Sequence, residues 1–266
     1  MKTNHIKILS LALGSTVLAT AAHAQILVTN TFDSVSGWTV DRYPPAIFQS
    51  TPNPYVDVKN PSANVLQIGV SAADYQTSHF FDYQGYKQNM VLDAANLNSI
   101  QVQLHLESSW STTPRVRTGL WIGSATDPTW TSIIGFSNLH GNDPTLEYFD
   151  NNLPDGGDWV ALTGVSLTYD SWTTLGITVT GANIDFLVDG SVVAEISNGG
   201  NTTFNTLAIE SENGLTGDPA GVTYSAYYDN LVAPQVVPEP GALSMLVAGA
   251  GIFLARGIGR AKKSRS

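Results

Sequence analysis

Glu210 and Glu212 stand two residues apart at the end of a run that reads as a strand, so both side chains leave on one side. Two such positions lie roughly 7 Å apart. That falls within the carboxylate spacing of inverting glycosidases, where one carboxyl protonates the leaving oxygen and the other activates water. Neighbours on a single strand seldom flank a bond from opposite sides, however, and a solvated strand end is the expected role of this pair. No residue is assigned to catalysis on sequence grounds.

A second constellation joins polar and aromatic groups. If Ile100–Glu107 and Arg115–Gly123 pair as strands through the loop at 108–114, their outward residues share one face. That face would hold Gln101, Gln103, His105 and Glu107 beside Arg115, Arg117 and Trp121, with Gly119 and Gly123 leaving the indole clear. Amide, imidazole and guanidinium groups beside an indole are what sugar hydroxyls and pyranose faces require. Gln103, His105, Glu107, Arg115, Arg117 and Trp121 are therefore the candidate glycan-binding residues. A structural Glu107–arginine pair with a packed Trp121 is the commoner use of such residues.

Oxygen ligands gather between Asp143 and Asp158, where Asp150, Asn152, Asp155 and Asp158 are the candidate Ca²⁺ ligands. The spacing does not match an EF-hand loop, and Asx turns use the same residues. His79, His105 and His140 show no local metal spacing. No cofactor other than Ca²⁺ is expected.

These residues need strands to hold them. Ile100, Val102, Leu104 and Leu106 alternate with polar residues, the pattern of a half-buried antiparallel strand. Ile184–Val188 and Ser191–Ile196 flank Asp189-Gly190, a type I′ hairpin signal. Further strands are expected over 65–70, 116–122, 132–136, 159–162, 173–180, 206–210 and 226–232. No long helical period appears between Gln25 and Val236, and the regular spacing of short strands predicts an all-β antiparallel sandwich or jelly roll.

Five Lys or Arg stand in this middle region against 21 of the chain's 22 acidic residues, a net charge of −16. Such a domain repels nucleic acid and anionic lipid, so nucleic acid is excluded as a partner. The absence of cysteine excludes disulfides and thiolate chemistry.

The two ends read as addressing segments. Residues 1–24 combine Lys2 and Lys7, a short apolar run and Ala22-His23-Ala24, the form of a cleaved signal peptide. Residues 237–266 carry Val237-Pro238-Glu239-Pro240-Gly241, an apolar stretch from Ala242 to Ala255, and a tail with Arg256, Arg260, Lys262, Lys263 and Arg265. The cations place that tail on the cytoplasmic side of a single transmembrane helix. The folded domain is then 25–236.

The terminal segment resembles the PEP-CTERM sorting signal of Gram-negative bacteria. That resemblance implies processing by exosortase, with Pro238, Glu239 and Pro240 as the sorting motif it reads. It also implies an inner-membrane intermediate followed by a cell-surface or extracellular product. The segments Trp172–Ile177, Ile184–Gly190 and Tyr227–Val232 are similar to concanavalin A-like (laminin-G-like) jelly-roll domains, which often bind or cleave glycans. Together these readings predict a non-enzymatic surface or matrix protein that binds extracellular polysaccharide. The alternatives are a glycan-cleaving enzyme on the same scaffold and a structural component that binds no sugar.

Overall fold

The computed structural model describes residues 24–237, apart from 80–81, 96–97, 114, 125–130, 140–142 and 215–219. Gln25–Val236 form one compact unit. The expected signal peptide, apart from Ala24, lies outside the described residues, as do the Pro238–Pro240 motif, the expected C-terminal helix and His140. Among the described residues no helix is long and apolar enough to cross a membrane.

Fifteen strands are described: β1 (Ala24–Asn30), β2 (Thr39–Val40), β3 (Ile47–Pro52), β4 (Asn64–Val70), β5 (Tyr83–Asp93), β6 (Ser99–Leu106), β7 (Arg117–Ser124), β8 (Thr131–Ser137), β9 (Thr145–Asp150), β10 (Asp158–Ala161), β11 (Ser171–Thr180), β12 (Asn183–Val188), β13 (Ser191–Ser197), β14 (Thr203–Glu212) and β15 (Tyr224–Val237). They form two sheets. One has the order β13-β12-β11-β6-β15-β4-β3 with β1 added against β15, and the other runs β10-β9-β8-β7-β14-β5-β2. The domain is an all-β antiparallel sandwich of the jelly-roll kind, as the strand pattern predicts.

Alternation explains how the sheets face each other. Ile100, Val102, Leu104 and Leu106 are buried from β6. They meet Leu120 and Ile122 of β7, Ile134 and Phe136 of β8, and Leu207 and Ile209 of β14 in one apolar core. Each fully buried Leu, Ile or Phe contributes roughly 1.5–3 kcal/mol, and with no cysteine in the chain this core works without disulfides. The hairpin at Asp189-Gly190 forms as expected, with φ of 49° and 79° and Val188 paired to Ser191.

Two tyrosines tie the sheets together. Tyr228 of β15 meets Thr118 of β7 at 2.6 Å, and Thr118 in turn meets Ser211 of β14 at 2.8 Å. Tyr224 donates to the backbone carbonyls of Arg117 and Glu212. Polar groups buried in a core are stable only when paired in this way, and these pairs fix the two strands that carry the site.

One pairing differs from expectation. β6 and β7 are not a hairpin, because they belong to opposite sheets. The connection contains a single 3-10 turn, Ser108–Ser111, whose Trp110 is buried in the core. Asn138 secures this crossing by donating to the carbonyls of Trp110 and Thr113 at 2.7 and 2.8 Å. Burial of the indole draws the chain from one layer to the other.

Candidate active site on the seven-stranded sheet

Because β6 and β7 lie in different layers, the six candidate glycan-binding residues do not share a face. Gln103, His105 and Glu107 belong to the eight-stranded sheet and its edge. There His105 stacks on Tyr55 at 3.7 Å and stands 3.4 Å from Glu107, while Gln103 accepts from Asn230 at 2.8 Å. Arg115 precedes β7 in a left-handed conformation with φ of 66°, which breaks its alternation with Arg117, and it donates to the Ala220 carbonyl at 2.9 Å. Only Arg117 and Trp121 remain together, on the outer face of the seven-stranded sheet. Trp121 is not a clear-standing ring; it is 6% exposed and packs edge-on to Tyr83 at 4.7 Å.

That outer face is assembled by cross-strand register. In β14, Leu207 and Ile209 point into the main core, while Ala208 joins Tyr83, Trp121 and Ile133 in a separate outer cluster. Glu210 and Glu212 share the side of Ala208. Glu210 pairs with Gly85 of β5 and with Gly119 of β7. Gly119 pairs with Gly135 of β8, and Gly135 with Glu147 of β9. One row across five strands therefore reads Gly85, Glu210, Gly119, Gly135, Glu147. A Cβ on Gly119 would stand 2.6 Å from the Ile134 carbonyl oxygen, and one on Gly135 would run into that of Thr118. The close approach of β7 and β8 thus demands glycine, and the row has a bare floor between its two carboxylates.

The sequence expectation of a solvated pair at Glu210 and Glu212 is corrected here. Their exposures are 1% and 0%, and that of Glu147 is 2%. Rings supply the cover. The Trp159 ring lies 4.1 Å from the Arg117 guanidinium carbon. Beneath the rings, a cavity of about 10 Å³ is lined by Glu147, Glu210, Arg117, Gly119, Gly135 and Trp159 among others, room for about one water molecule. Above it opens a cleft of about 390 Å³ that shares Tyr83, Trp121, Ile133 and Trp159 with the cavity. A second cleft of about 500 Å³ adjoins it across Arg42, Trp121 and Thr131.

The electrostatics divide these acids into two groups. Arg117 binds Glu147 through Nε at 2.6 Å and Glu212 through Nη1 at 3.0 Å. Burial opposes the guanidinium charge, but the two carboxylates outweigh it and raise its pKa. Burial raises the Glu212 carboxyl to about 7, against the opposing pull of Arg117. Glu210 is different. No donor among the described residues reaches either of its oxygens. Burial first, and the adjoining Asp41 carboxyl second, push its pKa well above the carboxylate range. Burial pushes the Asp41 pKa up, but Glu210 and a 2.7 Å ion pair with Lys87 outweigh it and lower the pKa. Burial and the adjoining carboxyl together favour the protonated form of Glu210, while Lys87 beside Asp41 favours the ionised form of Asp41.

The Ca²⁺ expectation finds no matching geometry. Asp150 accepts from the backbone and side-chain amides of Asn152, an Asx turn. Asp158 accepts from the Trp159 amide at 2.7 Å, and Asp155 and Asp158 line the 390 Å³ cleft. Among the described residues no three His, Asp or Glu side chains converge as a metal-binding group.

No protein-family model matches this sequence, and no curated protein matches it. Similarity appears in the fold. A glycoside hydrolase family 16 endo-glucanase from Bacteroides ovatus superposes with a TM-score of 0.51 at 12% identity, covering 78% of this chain and 99% of that one. An endo-acting O-glycanase of the human gut microbiota superposes with a TM-score of 0.51 at 12% identity over 79% and 98%. A structure described as a native glycosidic hydrolase gives 0.50 at 14% identity over 81% and 97%. These likenesses show the fold, an antiparallel sandwich of the jelly-roll kind. They overturn the leading expectation of a non-enzymatic surface protein, because each of the three is a glycan-cleaving enzyme.

Proposed function

We propose that the domain is a glycan-cleaving enzyme that uses Glu210 as general acid and Glu147 as its partner carboxylate. The observation that carries this reading is the cross-strand row in which the two acids face each other over Gly119 and Gly135, beneath an aromatic cleft. Glycoside cleavage needs one carboxyl protonated and one ionised, held apart by environment. Glu210 keeps its proton through burial and the neighbouring Asp41, so it can deliver that proton to a leaving glycosidic oxygen. Glu147 is held against Arg117 and can take a proton from a water in the small cavity between them. Tyr83, Trp121 and Trp159 line the approach from the cleft to the acids. The Trp159 ring must leave its seat on Arg117 for the chain to reach the acids. The fold neighbours, described as endo-glucanase, O-glycanase and glycosidic hydrolase, support the same class of reaction.

The test is release of reducing ends from a panel of neutral and acidic polysaccharides by the purified protein. Glu210→Gln and Glu147→Gln should each lower the rate by about 10²–10⁴-fold while leaving the melting transition cooperative. Absence of new reducing ends across the panel, or full activity in Glu210→Gln, would remove this reading.

The ends of the chain support a route outside the cytoplasm. The signal-like segment at 1–24 directs export. The Pro238-Glu239-Pro240 motif, apolar stretch and basic tail serve an exosortase of a Gram-negative host, which processes a membrane intermediate to a surface or extracellular product. Fractionation of the native host tests this. The processed domain is expected outside the inner membrane, and an intact, tail-bearing chain dissolved in the cytosol would refute it.

A further inference from the structure

Three of the five cations between Gln25 and Val236 converge on one face of a domain that otherwise repels anions. Arg117 is buried and committed to Glu147 and Glu212. Arg42 and Lys87 are not buried; their side chains are 41% and 40% exposed. Both line the 500 Å³ cleft, and Arg42 also lines the 390 Å³ cleft, so it stands where the two meet. Its guanidinium carbon lies 5.3 Å from the Tyr83 ring centroid and 5.2 Å from that of Trp121. Two rings thus hold the planar fork in place. Its ion pair is a loose one, 3.8 Å from Nε to Asp41, and its terminal nitrogens donate no hydrogen bond to the described residues. Lys87 shares the same Asp41, whose single negative charge is set against two positive ones. Glu210 adds no charge here while it holds its proton.

Resting on the glycan-cleaving reading above, we infer that the substrate is an acidic polysaccharide, whose uronate carboxylate or sulfate is bound by the Arg42 fork together with Lys87 at the junction of the two clefts. The reasoning is geometric. A preorganised guanidinium with unused donors is matched to a planar or tetrahedral oxyanion. A neutral chain would leave those donors to water alone. Asp155 and Asp158 line the 390 Å³ cleft on the other side of Arg42. They repel further anions there, so the anionic unit is placed toward the Lys87 side.

Titration calorimetry on the purified protein in a Glu147→Gln background tests the inference with three probes of matched length. These are a neutral β-glucan tetrasaccharide, a tetrauronate and a sulfated tetrasaccharide. At least one acidic probe should bind about tenfold or more tighter than the neutral one, the factor supplied by a charge-assisted hydrogen bond. Whichever acidic probe wins identifies the anion. The preference should shrink at high salt, since both cations are partly exposed. Arg42→Gln should bring the acidic-to-neutral ratio close to one, and Lys87→Gln, which decides the matter if the first variant unfolds, should move it the same way. Equal or tighter binding of the neutral probe, or a ratio that survives both substitutions, would overturn the inference. Cleavage of neutral but not acidic chains by the wild type would defeat acidic recognition and leave glycan cleavage standing. Tight acidic binding with no reducing ends from any chain would do the reverse.

Discussion

Replacing Glu212 with Gln should change how stability depends on pH. The Glu212 carboxyl is raised from 4.5 to about 7 in the fold, burial outweighing the attraction of Arg117. Below pH 4.5 the group is protonated in both folded and unfolded chains and contributes no difference. Between 4.5 and 7 the unfolded chain gives up this proton while the folded one keeps it. Stability falls through that window and levels off above it. The gap, at roughly 1.4 kcal/mol per pH unit, corresponds to about 3 kcal/mol. Gln has no such titration. Urea denaturation of both proteins from pH 4 to pH 8 should therefore show the variant gaining about 3 kcal/mol on the wild type across the series. Subtracting the two curves removes the parallel contribution of Glu210. A difference independent of pH, or one in which the wild type gains on the variant, would refute the reasoning. The latter would mean that Arg117 holds Glu212 ionised more strongly than burial opposes it.

Arg117→Met should cost about 3–5 kcal/mol at pH 8, since it leaves Glu147 and Glu212 buried without their cation, and less at pH 5; urea midpoints at the two pH values check this. Gly135→Ala should cost about 1–3 kcal/mol, because its methyl meets the Thr118 carbonyl oxygen. Gly123→Ala lies on the same face with 3.5 Å to its nearest neighbour and should stay within about 0.5 kcal/mol by thermal melting.

The sandwich was legible where a pattern was local. The alternation over Ile100–Leu106 and the Asp189-Gly190 turn both sit within a few residues, and both form as expected. β9 was missed because the acids from Asp143 to Asp158 read as loop ligands. Leu146 faces the core and Tyr148 packs on Phe186, so Glu147 is left on the opposite, outer side. The Gly85–Glu210–Gly119–Gly135–Glu147 row joins five segments that register alone brings together, and no local spacing encodes it. One signal was available. Gly119 and Gly135 each interrupt an expected strand, and an interior strand glycine marks a close approach of backbones. β6 and β7 form no hairpin because Trp110, in the segment between them, is core and not loop.

The two outer faces of the sandwich differ in a way that bears on function. On the eight-stranded sheet the outward groups include Gln49, Gln67 and Gln103, amides that bond one another and nearby hydroxyl or carbonyl groups near solvent. That face also buries His105 and the Asp229 carboxyl. The seven-stranded sheet instead buries Glu147, Glu210, Glu212 and Arg117 under aromatic rings. Apolar residues of similar volume would make a more stable face there, since desolvating charges costs several kcal/mol per ion. Tyr224 then holds the backbone of the same two strands from across the core, and Tyr228 meets the Thr118 hydroxyl. A fold that bears a desolvated acid cluster, braces it from behind and roofs it with rings has accepted a loss of stability in exchange for an organised site. Gln in place of both Glu210 and Glu212 should accordingly give a domain more stable at pH 8 than the wild type, and glycan-cleaving activity is the function it should lose.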